Sequence, residues 1–316
     1  MLRAKSRRED FKNKYMFRYI NIFAIVAILL AACTKTEVTY DSPSEIAFAP
    51  AAAVMTKAES GYVGGQLNVF AYTKEEDDPY IPYFANAAFT DTDKNGIYDG
   101  VPKQYWPNTN SLWFAGYTGD TETNVNCYYF EATSEKEESV KLIISGYNQD
   151  GDNDLMWFFT EEIEAKGDVE PTLYHACAKI TIKVTGENAC ASWPIKKISM
   201  NSVSMSGDVT FTDGSVSWDN LATAAPLEMF NGNAAISTGP TAEAIVIPQE
   251  PMTLTVVYKD TDNEKDDISL QYNGTAKWEA GKHYTYTLNF LNPYKIDFTV
   301  DAVTSWDGTT PEITIQ

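Results

Sequence analysis

The sequence predicts an all-β protein built from antiparallel sandwiches or barrels. Short runs of period-two alternation recur along the chain, and no window sustains helical periodicity. Aromatic residues make up 13% of the chain, and Thr, Val, Ile and Tyr are abundant, a composition suited to half-buried pleated surfaces. Glycine, asparagine and proline fall between the runs, as folds of many short strands require.

The N-terminus comes before any of these strands. Arg3, Lys5, Arg7, Arg8, Lys12, Lys14 and Arg18 form a basic region, and Ile22 to Ala32 is an uncharged apolar run of eleven residues. That run is far short of the roughly 20 residues that a membrane-spanning helix needs. A basic start, a short apolar core and small residues at its end describe a secretory signal peptide over residues 1–32. Leu30-Ala31-Ala32-Cys33 also matches a bacterial lipobox, in which the Cys33 thiol accepts diacylglycerol before cleavage in front of it. Acylation of the new amino group then gives more than one acyl chain, enough for stable anchoring. Translation from Met16 would give the same mature chain as Met1, because Arg18 also supplies a basic start. Residues 33–45 read as a lipidated polar tether.

Strand signals follow in order. Ile46 and Phe48 alternate with alanines, and Leu67, Val69 and Ala71 follow a Gly64-Gly65 turn. Leu112 and Phe114 come after Tyr105-Trp106-Pro107, and Leu142 with Ile144 precedes an Asp-rich loop. Glu131 to Ser139 is acidic and reads as an exposed loop. Ile180, Ile182 and Val184 alternate with polar residues. Val209 and Phe211 lead into Asp213-Gly214, and Val216 and Trp218 lead out. A two-residue turn there sets Phe211 opposite Val216 and Val209 opposite Trp218, with all four on one face. Further strands are expected at Ile245–Ile247, Leu254–Tyr258, Ile268–Tyr272, Tyr284–Phe290, Ile296–Val300 and Ile313–Ile315. The best domain boundary is Gly167 to Pro171, which divides the mature chain into 46–170 and 171–316.

Charge narrows the partners. The chain holds 24 basic and 44 acidic residues, a net of −20. Removing 1–32 leaves 17 basic against 42 acidic, a net of −25. Such a surface repels nucleic acid and anionic lipid. Beyond Cys33 only Cys127, Cys177 and Cys190 remain, an odd number that rules out a complete disulfide framework. A single bridge such as Cys177–Cys190 and buried free thiols are both open readings.

No pattern points to catalysis. His175 and His283 lie in or beside strand patterns, and no nucleophile elbow, phosphate loop or HExxH appears. A glycosidase's carboxylates need only meet in space, so spacing does not bear on that chemistry. The chain reads as a non-enzyme without cofactor. Asp91, Asp93, Asn95, Gly96 and Asp99 copy the early positions of an EF-hand loop, but Pro102 stands where the bidentate Glu belongs. The expected reading is therefore a polar hairpin loop, with weak calcium binding as the lesser alternative. The tryptophans read as core, and Trp106 and Trp113 are the two that could instead serve as exposed sugar platforms.

Several segments together resemble the fimbrillins, the pilus-building lipoproteins of Bacteroides-type bacteria. Ile46-Ala47-Phe48 followed by Met55-Thr56-Lys57-Ala58 looks like that family's first strand and basic cleavage loop. Tyr105-Trp106-Pro107 with Leu112 to Tyr117, and Asp154-Leu155-Met156, resemble motifs of its N-terminal domain. His175 with Ile180-Thr181-Ile182, Ile198 to Gly207 with Trp218, Ile247-Pro248-Gln249, Trp278 to Tyr286 and Trp306 follow in the expected order. The resemblance implies two tandem transthyretin-like β-sandwich domains. It also implies assembly by strand exchange, in which proteolysis at Lys57 and Ala58 frees the strand of Ile46 and Phe48. A neighbouring subunit then refills the groove, with Ile313 and Ile315 as the candidate donor strand. The family often carries Arg where Lys57 stands, which leaves the processing protease open. The partners expected are like or related fimbrial subunits, the outer membrane through the lipid, and a host or glycan receptor. The alternative reading is a monomeric surface lipoprotein of the same fold that binds a glycan or host ligand.

Overall fold

Strands dominate the computed structural model, which describes residues 44–50, 56–57, 60–61, 65–73, 80–108, 111–120, 122, 124–130, 139–164, 167–212, 214–250, 253–259, 268–270, 277–292 and 295–306. The leader, Cys33, most of the tether, Ala58, most of the acidic 131–139 stretch, Asp213, Ile313 and Ile315 lie outside the described residues. In the first half the strands are β1 (Ala47–Phe48), β2 (Thr56–Lys57), β3 (Ser60–Gly61), β4 (Gln66–Thr73), β5 (Ile81–Thr90), β6 (Tyr98–Val101), β7 (Trp113–Thr118), β8 (Val125–Phe130), β9 (Ser139–Asn148) and β10 (Met156–Phe159). The second half supplies β11 (Tyr174–His175), β12 (Ala178–Gly186), β13 (Pro194–Val203), β14 (Ser206–Thr212), β15 (Ser215–Asp219) and β16 (Ala225–Ala235). It closes with β17 (Thr241–Val246), β18 (Leu254–Tyr258), β19 (Ile268–Leu270), β20 (Lys282–Asn292) and β21 (Lys295–Ser305). The helical elements among the described residues are two short 3₁₀ turns, Asn188–Cys190 and Ile236–Thr238.

A seven-stranded sheet runs β1-β6-β5-β4-β7-β10-β11, and four-stranded sheets run β15-β14-β9-β8, β17-β12-β20-β21 and β16-β13-β18-β19. The last two face each other across a core that holds Ile180, Ile182, Trp193, Ile198, Val256 and Phe290. The seven-stranded sheet is buried on both faces along its centre. Leu67, Val69 and Ala71 point to one core with Phe48, Phe89, Phe114 and Phe158. Phe70 and Tyr72, the intervening residues of β4, point to another with Leu142, Ile144, Val209 and Phe211. A strand covered on both sides needs apolar residues in succession instead of alternation, and Val69 to Tyr72 of β4 and Trp113 to Ala115 of β7 supply them.

The predicted hairpin has its predicted register: Val209 lies opposite Trp218 and Phe211 opposite Val216. Gly214 turns it at φ 74°, a conformation that glycine adopts without steric cost. β14 then pairs with β9, Phe211 opposite Leu142, so one sheet joins strands from both sides of residue 170. Among the described strand pairs, the expectation of antiparallel pairing has one exception. β12 and β20 run parallel from Lys179 opposite His283 to Gly186 opposite Phe290. Cys127, Cys177 and Cys190 form no disulfide with one another.

Candidate assembly groove

The strand built on Ile46 and Phe48 is short but heavily engaged. β1 pairs antiparallel with β6, Ala47 opposite Asp99 and Phe48 opposite Tyr98. On its other side it meets Val169 in a parallel bridge. Ala49 N–H donates to the Val169 carbonyl and Val169 N–H to the Ala47 carbonyl, each at 2.8 Å. Upstream, Ile46 N–H donates to the Gln104 carbonyl and Trp106 N–H to the Ser44 carbonyl, each at 2.9 Å. A Lys103–Glu45 ion pair at 2.7 Å closes the rim and raises the lysine pKa through its hydrogen bond to Glu45. Both of its side chains are solvent-exposed, so salt screens it and it holds little.

Apolar packing does the holding. Phe48 is 0% exposed. Its ring meets Phe89 edge-on at 4.8 Å and Phe114 at 5.3 Å, with Phe158 at 5.8 Å. Ile46 is equally buried, and Ala47, on the opposite side of the strand, is buried too. Each of the two large side chains is worth about 1.5–3 kcal/mol in burial. Removing the strand would therefore open a slot floored by Phe89, Phe114 and Phe158, with unpaired backbone along β6 and at Val169. Sequence alternation pointed to Ile46 and Phe48. Val169 carried no signal, because a single bridge has no period.

Lys57 lies in the two-stranded ladder of β2 and β3, opposite Ser60. Cys33, Ala58, Ile313 and Ile315 lie outside the described residues.

The EF-hand-like run caps itself. Asp91 accepts the Asn95 N–H at 3.0 Å and the Gly96 N–H at 3.1 Å, while Asn95 Nδ2 donates to Asp93 at 3.0 Å. These carboxylates brace the turn between β5 and β6, and Asp99 sits in β6 opposite Thr90 and Ala47. Chelation should accordingly leave the melting temperature unchanged. A fall of many degrees on adding chelator would make Asp91, Asp93, Asn95 and Asp99 ligands.

Residues 56–306 match a family model described as fimbrillin-like. The chain belongs to the fimbrillin-like family. The match begins after β1, at Thr56. No curated protein matches the chain. Among solved structures, a candidate cell adhesion protein from Bacteroides uniformis aligns with TM-score 0.56 at 17% identity, over 84% of this chain and 99% of that one. A second, from Bacteroides ovatus, aligns with TM-score 0.54 at 17% identity, over 84% and 98%. At these identities the likeness shows the fold.

In this fimbrillin-like chain both histidines are committed to packing. His175 in β11 pairs with Asp154 and stacks on Trp306 at 4.4 Å. His283 contacts the Thr181 hydroxyl at 2.8 Å, and burial lowers its pKa. Trp106 and Trp113 are buried and offer no exposed sugar platform.

Proposed function

We propose that this protein is a structural subunit of a cell-surface fimbria that contributes to cell adhesion. It is exported with leader 1–32, lipidated at Cys33 and held at the outer membrane, facing outward, by the tether 33–45. Residues 46–170 and 171–316 act as tandem transthyretin-like domains. The first also receives the β14–β15 hairpin as a neighbour of β9. Cleavage after Lys57 frees β1, and the Ile313–Ile315 strand of another subunit fills the vacated slot.

The observation that supports this best is Phe48 seated among three phenylalanines on a strand of two residues. Before cleavage the strand is tethered, and its high effective concentration keeps it seated. After cleavage it is a separate peptide that dilution can remove. An incoming strand of matching alternation would satisfy the same backbone groups and the same apolar slot, as in β-strand addition generally. Membership of the fimbrillin-like family supports the same reading.

Electron microscopy of surface material from cells expressing the protein tests it. Filaments containing the chain are expected on intact cells. Cys33→Ala should leave the precursor uncut or release the protein from the membrane fraction. A Cys33→Ala protein that is processed normally and stays membrane-bound would overturn the lipid assignment, and filament-free cells would overturn the fimbrial one.

A further inference from the structure

The segment that fills the β1 slot has a counterpart near the C-terminus. Glu45-Ile46-Ala47-Phe48 occupies the slot, and Glu312-Ile313-Thr314-Ile315 repeats its order of acid, isoleucine, smaller residue and large apolar residue. The slot itself makes four backbone demands. The Gln104 and Val169 carbonyls take N–H groups from positions 46 and 49. The Trp106 and Val169 N–H groups need carbonyls at positions 44 and 47. With Ile313 in the place of Ile46, Ile313 and Gln316 supply the two N–H groups, and Pro311 and Thr314 supply the two carbonyls. Proline lacks only the N–H, so Pro311 then stands where a carbonyl is what the groove uses.

Apolar fit does not single out this placement. Side chains repeat every two residues along a strand, so a slip of two keeps the same faces buried. A slip that brings Pro311 to position 46 fails, because the Gln104 carbonyl loses its donor. A slip the other way brings Ile315 to position 46, and a reversed strand brings Ile315 to 46 and Ile313 to 48. Ile315 is also smaller than Phe48, so shape alone does not grip one arrangement. Charge separates them. Lys103 Nζ donates to both Glu45 oxygens, at 2.7 and 2.8 Å. Glu45 lies on the β1 side of the Lys57 cut and leaves with that strand. Only the unslipped placement in the original direction puts Glu312 where Glu45 stood. The slipped strand offers Lys103 a threonine, and the reversed strand a glutamine.

We infer that Lys103 sets the direction and register of the incoming strand, by pairing with Glu312 of a second copy of this chain. The inference rests on the strand-exchange reading and adds to it a specificity-determining residue. An exposed pair contributes little affinity, but it discriminates between placements whose apolar fit is alike.

Disulfide trapping reads the register with Lys103 and Glu312 left intact. Position 47 lies opposite Asp99, and position 45 opposite Tyr105. Three variants each carry one cysteine pair: Asp99→Cys with Thr314→Cys, Asp99→Cys with Gln316→Cys, and Tyr105→Cys with Gln316→Cys. Each full chain is cleaved after Lys57, assembled and oxidised, and covalent oligomers are counted on non-reducing gels. The parent chain with its own cysteines is the blank. The first pair should trap oligomers. The second reports the slip and the third the reversed strand, and both should stay at the blank level. Adding Lys103→Glu should cut trapping by the first pair about fivefold, the upper range for an exposed pair. Glu312→Lys in the same chain should restore it. The Lys103→Glu deficit should shrink at about 1 M salt, where charges are screened beyond about 3 Å. Ladders that trap through the second or third pair, or through none, would overturn the inference and leave strand exchange standing. So would trapping indifferent to Lys103→Glu, or a loss that Glu312→Lys does not rescue. A cleaved wild-type chain that forms no ladder would overturn the strand-exchange reading and this inference with it.

Discussion

Replacing Phe48 with alanine should destabilise the uncleaved protein by about 3–5 kcal/mol, the range for truncating a fully buried Phe. The ring is completely buried and touches three other aromatic rings. The two edge-on contacts, with Phe89 and Phe114, add about 0.5–1.5 kcal/mol each beyond burial alone. The slot is walled by sheet backbone on both sides, through β6 and Val169, so it cannot collapse onto the cavity. Equilibrium urea unfolding measures the effect as a drop in midpoint at unchanged slope. Ile46→Val should cost only about 0.5–1.5 kcal/mol. An unchanged midpoint for Phe48→Ala would mean that β1 is not part of the cooperative core.

Gly116→Ala should be nearly as damaging, for the opposite reason. Gly116 sits in β7 between Val69 of β4 and Phe158 of β10. An added Cβ would stand 2.5 Å from Phe158 Cε1 and 2.8 Å from the Asn68 carbonyl oxygen. The phenylalanine is locked in the core beneath β1, and the carbonyl belongs to a central strand. Neither can retreat cheaply. Overpacking of this kind costs about 1–3 kcal/mol, and the upper end is expected here. The displaced Phe158 ring would also press on Phe48. Gly167→Ala is the control, since nothing lies within 4 Å of its Cβ position, and its effect should stay within about 0.5 kcal/mol. Equal urea midpoints for Gly116→Ala and Gly167→Ala would show that β7 has more room than its packing implies.

Much of this fold was legible where one face of a strand is buried and the other is wet. β14 and β15 meet that condition, and their turn residue fixed the pairing, so register and partners both followed from the residues. β4 was half legible. Leu67, Val69 and Ala71 mark one face, but Phe70 and Tyr72 fill a second core that alternation does not announce. β5 gave no signal. It carries Pro82 and an Asn86 at φ 49°, and its pairing with β4 shifts register twice. β16 is an eleven-residue strand with much of its length exposed, so burial imposed no period on it.

The parallel β12–β20 pair was beyond reach, because strand direction across a hundred residues leaves no local mark. At the β1 slot, alternation marked Ile46 and Phe48 and not the residues that surround them. Phe89, Phe114, Phe158 and Val169 converge only when four separate segments fold together.

Proteolysis at Lys57 is the most direct test of strand exchange. The purified uncleaved chain is treated with a trypsin-like protease, the cut is located by mass spectrometry, and the products are resolved in mild detergent. Cleavage after Lys57 should release the peptide carrying Ile46 and Phe48 and convert monomer into a detergent-resistant ladder. Lys57→Ala should block both the cut and the ladder. A Lys57→Ala chain that stays uncut yet forms ladders as readily as wild type would contradict release of β1 as the trigger for assembly.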